Sequence, residues 1–216
     1  MIVSENFRLP LFTTVLKIAI VCEGKEEYDY LNRLLELNVW NDIYDITLFD
    51  AKGNGNISAV YQDKFQSGTY DIVLIFCDTE RKPYEQYKEI KNKINDFHGC
   101  DEIADKVIIY GNPCTLQIVL LHWADVRLTK VRKSKNAPYV EKYTGICGYK
   151  AKDEQRTELM SKITRANYDD MLQRLQKLPT DDKIVSSSNF FTFTERFTSA
   201  DDSWIDEINS MIDAVE

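Results

Sequence analysis

The chain has 216 residues and a formal net charge of −8, with 44% hydrophobic and 29% charged residues. This length allows one substantial hydrophobic core, and the composition is that of an ordinary globular protein. The acidic balance argues against a general nucleic-acid coat protein, which is usually basic. It does not exclude an enzyme that binds nucleic acid through one local basic surface.

The sequence does not indicate a membrane protein, a secreted protein or a zinc-binding protein. Its apolar stretches are shorter than the ~20 residues that span a bilayer, and the N-terminus lacks the basic region and cleavage site of a signal peptide. The five cysteines are never closely spaced, and only two histidines could help them to hold zinc. We therefore expect free thiols, a cytoplasmic location and no membrane association.

The first half of the chain alternates between apolar runs and helix-like segments. After a loose lead-in over residues 1–13, the pattern predicts strands at 14–22, 44–49, 71–78 and 106–110. It predicts helices at 25–38, 58–66 and from Pro83 to residue 97. Residues 50–56 contain glycines, but neither phosphate-binding glycine motif is present, so we expect a turn there. The alternation predicts an α/β fold with a mostly parallel four-stranded sheet flanked by helices.

The character of the chain changes after Trp123. Residues 115–123 are apolar all round, which fits a buried helix or strand, whereas 127–135 read as a basic loop ending near Pro138. Further helices are predicted at 153–163, at 168–178 with Asn167 or Thr164 as cap, and at 201–214, with a linker-like break at 186–189. We expect residues 14–124 to form an α/β core. Residues 125–216 would form a helical C-terminal extension packed on it as a single structural unit.

Carboxylates follow two of the predicted strands at the point where each strand ends. Glu23 follows the first, whereas Asp78 closes the third and Glu80 lies two residues further on, a spacing that points both side chains the same way. If these strands are neighbours in a parallel sheet, the three acids meet at the edge where such sheets bind ligands. They would repel one another unless a divalent cation such as Mg²⁺ lay among them.

Simpler interpretations stay open for several of these residues. Glu23 alone is typical of an acid at a helix N-terminus, and a receiver-like domain also places acids at strand ends. That domain expects adjacent acids after the first strand, however, which Glu23-Gly24 does not supply. His122 ends an apolar run as a core histidine would, and Cys114 fits a buried filler.

The pair Glu23-Gly24 and Asp78-x-Glu80 resembles the Toprim domain, the catalytic fold of topoisomerases, primases and several nucleases. Further motifs resemble the RloB-like group of Toprim proteins, which is linked to bacterial restriction and phage-defence loci. The matching stretches are Glu23-Gly24-x-x-Glu27-x-x-Tyr30-Leu31, then Asn112-Pro113-Cys114 with Leu120-Leu121-His122-Trp123, and finally Tyr149-Lys150. The resemblance covers roughly residues 16–150 and could extend over the whole chain. It implies a Toprim/Rossmann-like fold for the core over residues 14–124.

The resemblance implies a Mg²⁺- or Mn²⁺-dependent endonuclease that hydrolyses phosphodiester bonds of DNA or RNA, tRNA included. Glu23 would act as general acid/base and, with Asp78 and Glu80, would hold the metal. Glu27 would be a further ligand or lie just behind the ligands, and Lys150 would neutralise charge during catalysis. The residues expected to shape the site are Gly24, Asn112, Pro113 and His122. The residues expected to contact the nucleic-acid backbone are Arg127, Lys130, Arg132, Lys133 and Lys135.

The chain also departs from the family pattern. Glu80 replaces the second aspartate of the Toprim Asp-x-Asp motif, and Glu26 replaces the usual threonine of the opening motif. Thr115-Leu116 stands where the RloB-like group often has Phe-Glu. The alternative function is therefore a catalytically degenerate Toprim module that binds or regulates a partner. The resemblance implies an ATPase partner encoded nearby. The sequence itself has no ATP-binding motif, so any energy input would come from that partner. Monomer and homodimer both stay open.

Overall fold

The computed structural model describes residues 15–79 and 84–214. Its centre is a sheet of four parallel strands in the order β2-β1-β3-β4. The strands are β1 (Leu16–Cys22), β2 (Tyr44–Asp50), β3 (Ile72–Asp78) and β4 (Ile108–Gly111). This confirms the predicted α/β class. The predicted lead-in over 1–13 and the helix start at Pro83 lie outside the described residues.

Strands β1 and β3 are the buried centre of the sheet. Nearly all their side chains are apolar and buried on both faces, as expected for a parallel strand covered by helices on each side. Cys22, the last residue of β1, is in register with Phe76 of β3, and β3 continues two residues further, to Asp78. Their ends therefore bring Glu23 and Asp78 to the same edge.

Five helices accompany the sheet in the first part of the chain. They are α1 (Lys25–Glu36), α2 (Ile57–Gln66), α3 (Tyr84–His98), α4 (Ile103–Val107) and α5 (Leu116–Leu120). Helix α4 takes the first residues of the predicted fourth strand, because Ile103, Ala104 and Val107 bury a helical face there. The apolar segment 115–123 is resolved as the buried helix α5 and its flanking turns.

The predicted helical C-terminal extension is also confirmed. Its helices are α6 (Lys133–Thr144), α7 (Asp153–Ser161), α8 (Arg165–Leu175), α9 (Phe190–Thr198) and α10 (Ser203–Asp213). Both predicted cap residues of α8 take part: Asn167 N donates to Thr164 Oγ1 at 3.3 Å, and Thr164 N donates to Asn167 Oδ1 at 2.8 Å. Within the described ranges, no helix is both long and apolar enough to cross a membrane.

The basic segment 127–135 is not a loop throughout, so that prediction was wrong in part. Helix α6 begins at Lys133 and continues through Pro138, although proline normally disrupts a helix interior. Tertiary contacts explain this, because Val140 is fully buried and the buried Asn136 side chain donates to Lys130 O at 2.8 Å.

Residues 186–189 connect α8 to α9, but they are not an exposed linker. Ser188 forms a bridge with Gly111 at the outer edge of β4. The Asn189 side chain continues this pairing, since it accepts from Tyr110 N at 2.9 Å and donates to Ile108 O at 2.7 Å. The extension thus covers the free edge of β4 with side-chain hydrogen bonds in place of a fifth strand.

Candidate functional site

Glu23 and Asp78 meet at the carboxyl edge of β1 and β3. Glu23 N donates to Phe76 O at 2.9 Å, which continues the strand pairing by one residue. Asp78 N in turn donates to Glu23 Oε2 at 2.9 Å. The backbone of one strand therefore orients the carboxylate at the end of the other.

Thr115 orients the Asp78 carboxylate from the β4 side. Its backbone N–H and its hydroxyl both donate to Asp78 Oδ1, at 2.6 and 2.9 Å. Thr115 has no solvent exposure. The sequence identified Thr115 only as a departure from the family motif, because nothing in the local pattern shows that the loop after β4 reaches the end of β3.

Glu27 adds a third carboxylate behind Glu23, from the first turn of α1. Only 4% of Glu27 is exposed, and its Oε2 accepts from Gly24 N at 3.1 Å. Burial, together with the charge of Glu26, raises the pKa of Glu27 to about 7. Burial, followed by the charges of Glu27 and Glu23, raises the pKa of Asp78 well above its ordinary value. The acids therefore repel one another, as expected where a cation is needed to hold them ionised.

Glu26 extends the acidic edge toward the C-terminal extension. It accepts a hydrogen bond from the Tyr149 hydroxyl at 2.7 Å, and its second oxygen lies 3.3 Å from Lys133 Nζ. Burial and Glu26 raise the pKa of Tyr149. This cluster was missed because it joins three distant parts of the chain; the only local indication was the pair of acids at the start of α1.

The turn after β2 completes the surroundings of Glu23. Gly53 N donates to Glu23 O at 2.7 Å, with Gly53 at φ 117°, a backbone region that favours glycine. With its amide oriented to satisfy its neighbours, Asn54 donates to Glu23 Oε2 at 2.8 Å. The prediction of a turn over 50–56 is confirmed, whereas the contact of Asn54 with Glu23 was not foreseen.

Two of the predicted residues, Lys150 and His122, stand apart from this group. Glu80 lies outside the described residues. Lys150 is exposed, its backbone N–H donates to Gln155, and in the described ranges no ion pair joins its ammonium to the acids. His122 is buried between two hydrogen-bond partners: its Nε2 lies 3.1 Å from the Tyr30 hydroxyl, and its Nδ1 lies 3.1 Å from Asn167 Oδ1. Burial lowers the pKa of His122 to about 4. It therefore has the environment of a core histidine.

Asn112 and Pro113 shape the turn that presents Thr115. Asn112 N donates to Ser187 O at 3.0 Å, and its side chain donates to Asp182 O at 2.7 Å, so the turn is tied to the C-terminal extension. At the preceding Gly111, an added Cβ would lie 2.9 Å from Cys114 O. The chain thus passes too close to itself there for any side chain.

One member of the predicted basic surface reaches the acidic edge, from the first turn of α6. Lys133 contacts Glu26, whereas Arg127 pairs with Asp125 at 3.1 Å. The other members of the predicted basic surface, Lys130, Arg132 and Lys135, are exposed.

The donor chemistry of the edge fits a hard divalent cation, since carboxylate oxygens are the ligands that Mg²⁺ prefers. The charges of Glu27 and Glu23, which add to the effect of burial in raising the pKa of Asp78, point the same way. Among residues 15–79 and 84–214, however, no three His, Cys, Asp or Glu side chains are arranged to hold a metal ion. Glu23 and Asp78 are the donors that would hold it, with Glu80 as the predicted third.

No family model matches the chain, and no curated protein or solved structure shows significant similarity to it. The Toprim and RloB-like resemblance rests on the sequence motifs and stays a prediction.

Proposed function

We propose that the protein is a divalent-metal-dependent endonuclease that hydrolyses nucleic-acid phosphodiester bonds. The observation that carries the proposal is the hydrogen-bonded pair Glu23 and Asp78 at the carboxyl edge of a parallel sheet, with Glu27 buried beside it. Ligands of open α/β sheets bind at this edge. A restriction or phage-defence role and an ATPase partner are part of the proposal, and they follow from the resemblance alone.

The chemistry needs a nucleophile, relief of charge on the phosphate and a proton for the leaving oxygen. A divalent ion, when bound, polarises phosphoryl oxygens and positions water. Asp78 and Glu23 would bind the ion through their carboxylate oxygens. Glu23, whose carboxylate is oriented by Asp78 N–H and Asn54, would also take up and return the proton as general base and acid.

The basic surface next to the acids supports nucleic acid as the substrate. Lys133 lies beside Glu26, and the exposed Lys130, Arg132 and Lys135 are near it in sequence. Such a group of cations binds phosphates without regard to sequence. In a protein of net charge −8, this local concentration of positive charge would direct a polyanion to the acidic edge.

A catalytically degenerate module that binds a partner is the second candidate, and one observation favours it. Leu116, at the position where the RloB-like group often has glutamate, is 2% exposed and belongs to the hydrophobic core. That side chain offers no oxygen to a metal.

Cation-dependent melting separates the two candidates. We expect Mn²⁺ or Mg²⁺ to raise the melting temperature of the wild-type protein, since a ligand at 100 times its Kd adds about 2.7 kcal/mol of stability. Asp78→Asn should abolish the increase. Asp170→Asn, a control on the surface of α8, should retain it. Absence of any cation effect on the wild type would contradict the nuclease and favour the partner-binding module.

A further inference from the structure

We propose that Thr115 is a positioning residue that fixes the Asp78 carboxylate for cation binding; this inference rests on the proposed metal site. Two donors of one residue converge on a single oxygen. The Thr115 backbone N–H lies 2.6 Å and its hydroxyl 2.9 Å from Asp78 Oδ1. Two donors from one rigid residue determine both the position and the rotation of the carboxylate.

The geometry leaves the second carboxylate oxygen for a ligand. In the part of the chain that the structure describes, Asp78 Oδ2 accepts no hydrogen bond, whereas Oδ1 accepts two. Asp78 N is itself engaged with Glu23 Oε2. The carboxylate thus has one anchored oxygen and one oxygen available at the acidic edge.

Thr115 is itself held firmly in place. It has no solvent exposure, and its carbonyl oxygen accepts from Ile118 N at 2.9 Å and from Val119 N at 3.1 Å at the start of α5. The close approach of Gly111 to Cys114 fixes the turn just before it. A shift of Thr115 would therefore require movement of α5 and of the turn after β4.

The Thr115 hydroxyl does not cap the helix that it precedes. Thr115 is the N-cap residue of α5, where threonine normally accepts a bond from its own helix. Its side chain makes no such capping bond. The hydroxyl instead donates across to Asp78, which favours a role at the acidic edge over a role in helix stability.

Matched threonine variants test the inference by the affinity for Mn²⁺, measured by calorimetry, together with metal-free melting. Thr115→Val removes the hydroxyl but keeps the shape and the backbone N–H, whereas Thr115→Ser keeps the hydroxyl. Thr194→Val is the control, because Thr194 is also buried and its hydroxyl donates within α9, to Phe190 O at 3.0 Å.

We expect Thr115→Val to weaken Mn²⁺ binding by roughly tenfold to a hundredfold, the usual effect of removing a group that orients a metal ligand. Thr115→Ser should keep most of the wild-type affinity for Mn²⁺. Thr194→Val should lower the melting temperature without changing the affinity for Mn²⁺. Wild-type affinity in Thr115→Val would overturn the positioning role and leave the metal site intact. Absence of Mn²⁺ binding by the wild-type protein would instead overturn the proposed metal site, and the positioning role with it.

Discussion

Asp78 N donates to Glu23 Oε2 over 2.9 Å, so the main chain of β3 holds the carboxylate that follows β1. The bond follows from the register of the sheet, in which Cys22 and Phe76 are partners. The two acids are therefore brought together by the pairing of the strands. Their closeness has an electrostatic cost, which the buried Glu27 increases.

Glu27→Gln should stabilise the metal-free protein at pH 8. The pKa of Glu27 is raised to about 7, so the folded state favours the neutral acid. Its contribution to stability is full below about pH 4.5 and is lost as the pH rises through 7. We expect the variant to gain roughly 2 kcal/mol over the wild type at pH 8 and little at pH 5. Urea unfolding in a chelator measures this gain.

Glu207→Gln, on the exposed face of α10, is the control and should change stability little at either pH. A Glu27→Gln protein that is less stable than the wild type at pH 8 would show that ionised Glu27 is well solvated or paired.

His122 should make the protein sensitive to acid. Its pKa is lowered to about 4 by burial, so the folded state favours the neutral ring. Asn167 Oδ1 accepts from Nδ1, which leaves Nε2 to accept from Tyr30. The stability contributed by the neutral ring is full above about pH 6.5 and is lost as the pH falls toward 4.

Between pH 7 and pH 5, this group alone should cost the wild type about 2 kcal/mol of unfolding free energy. His122→Gln should be less stable than the wild type at pH 7, but the difference should shrink by about that amount at pH 5. The same difference at both pH values would mean that His122 is protonated without penalty in the folded protein.

Lys133 should contribute more than Lys150 to nucleic-acid binding. Lys133 contacts Glu26 at the acidic edge, whereas the exposed Lys150 is tied to Gln155 only through its backbone N–H. Lys133→Ala should therefore lower the slope of log affinity against log salt concentration by about one, as loss of one phosphate contact does. Fluorescence anisotropy in a chelator measures this slope. A slope that changes in Lys150→Ala but not in Lys133→Ala would contradict the prediction and support the role that the sequence motif assigns to Lys150.

Asn189→Ala should loosen the C-terminal extension. The side chain pairs with Tyr110 N–H and Ile108 C=O, and its removal leaves both groups without these partners at the edge of β4. We expect a loss of roughly 2 kcal/mol in unfolding free energy, with core and extension still unfolding in one transition. Asn32→Ala, at an exposed hydrogen bond within α1, is the control. A second transition would show that the extension unfolds independently.

The sheet and its acids were predictable because their causes are local. A buried strand that ends in an acid and a helix that follows at once leave a pattern in neighbouring residues, as at Glu23 and Asp78. Burial on both sides also made β1 and β3 continuous apolar runs. From these features a mostly parallel sheet follows, whereas the adjacency of β1 and β3, on which the acidic edge depends, comes from the structure.

Other parts of the site depend on tertiary contacts that no local pattern shows. Thr115 reaches Asp78 only because β4 lies next to β3, and Tyr149 reaches Glu26 across 123 positions of sequence. Only the start of helix α6 was predicted as a loop. Pro138 is a local indication against a helix, whereas the burial of Asn136 and Val140 becomes visible only in the folded chain.

Cleavage assays test the proposed metal-dependent nuclease activity and its dependence on Glu23. Labelled DNA and RNA, tRNA included, would be incubated with wild-type protein, Glu23→Gln and the control Glu207→Gln, in Mg²⁺ or Mn²⁺ and in a chelator. The proposed ATPase partner, the product of a neighbouring gene, would be added in parallel. We expect cleavage that requires the cation, is lost in Glu23→Gln and persists in Glu207→Gln. Cleavage that persists in Glu23→Gln, or no cleavage by the wild type with both cation and partner present, would contradict the proposed activity.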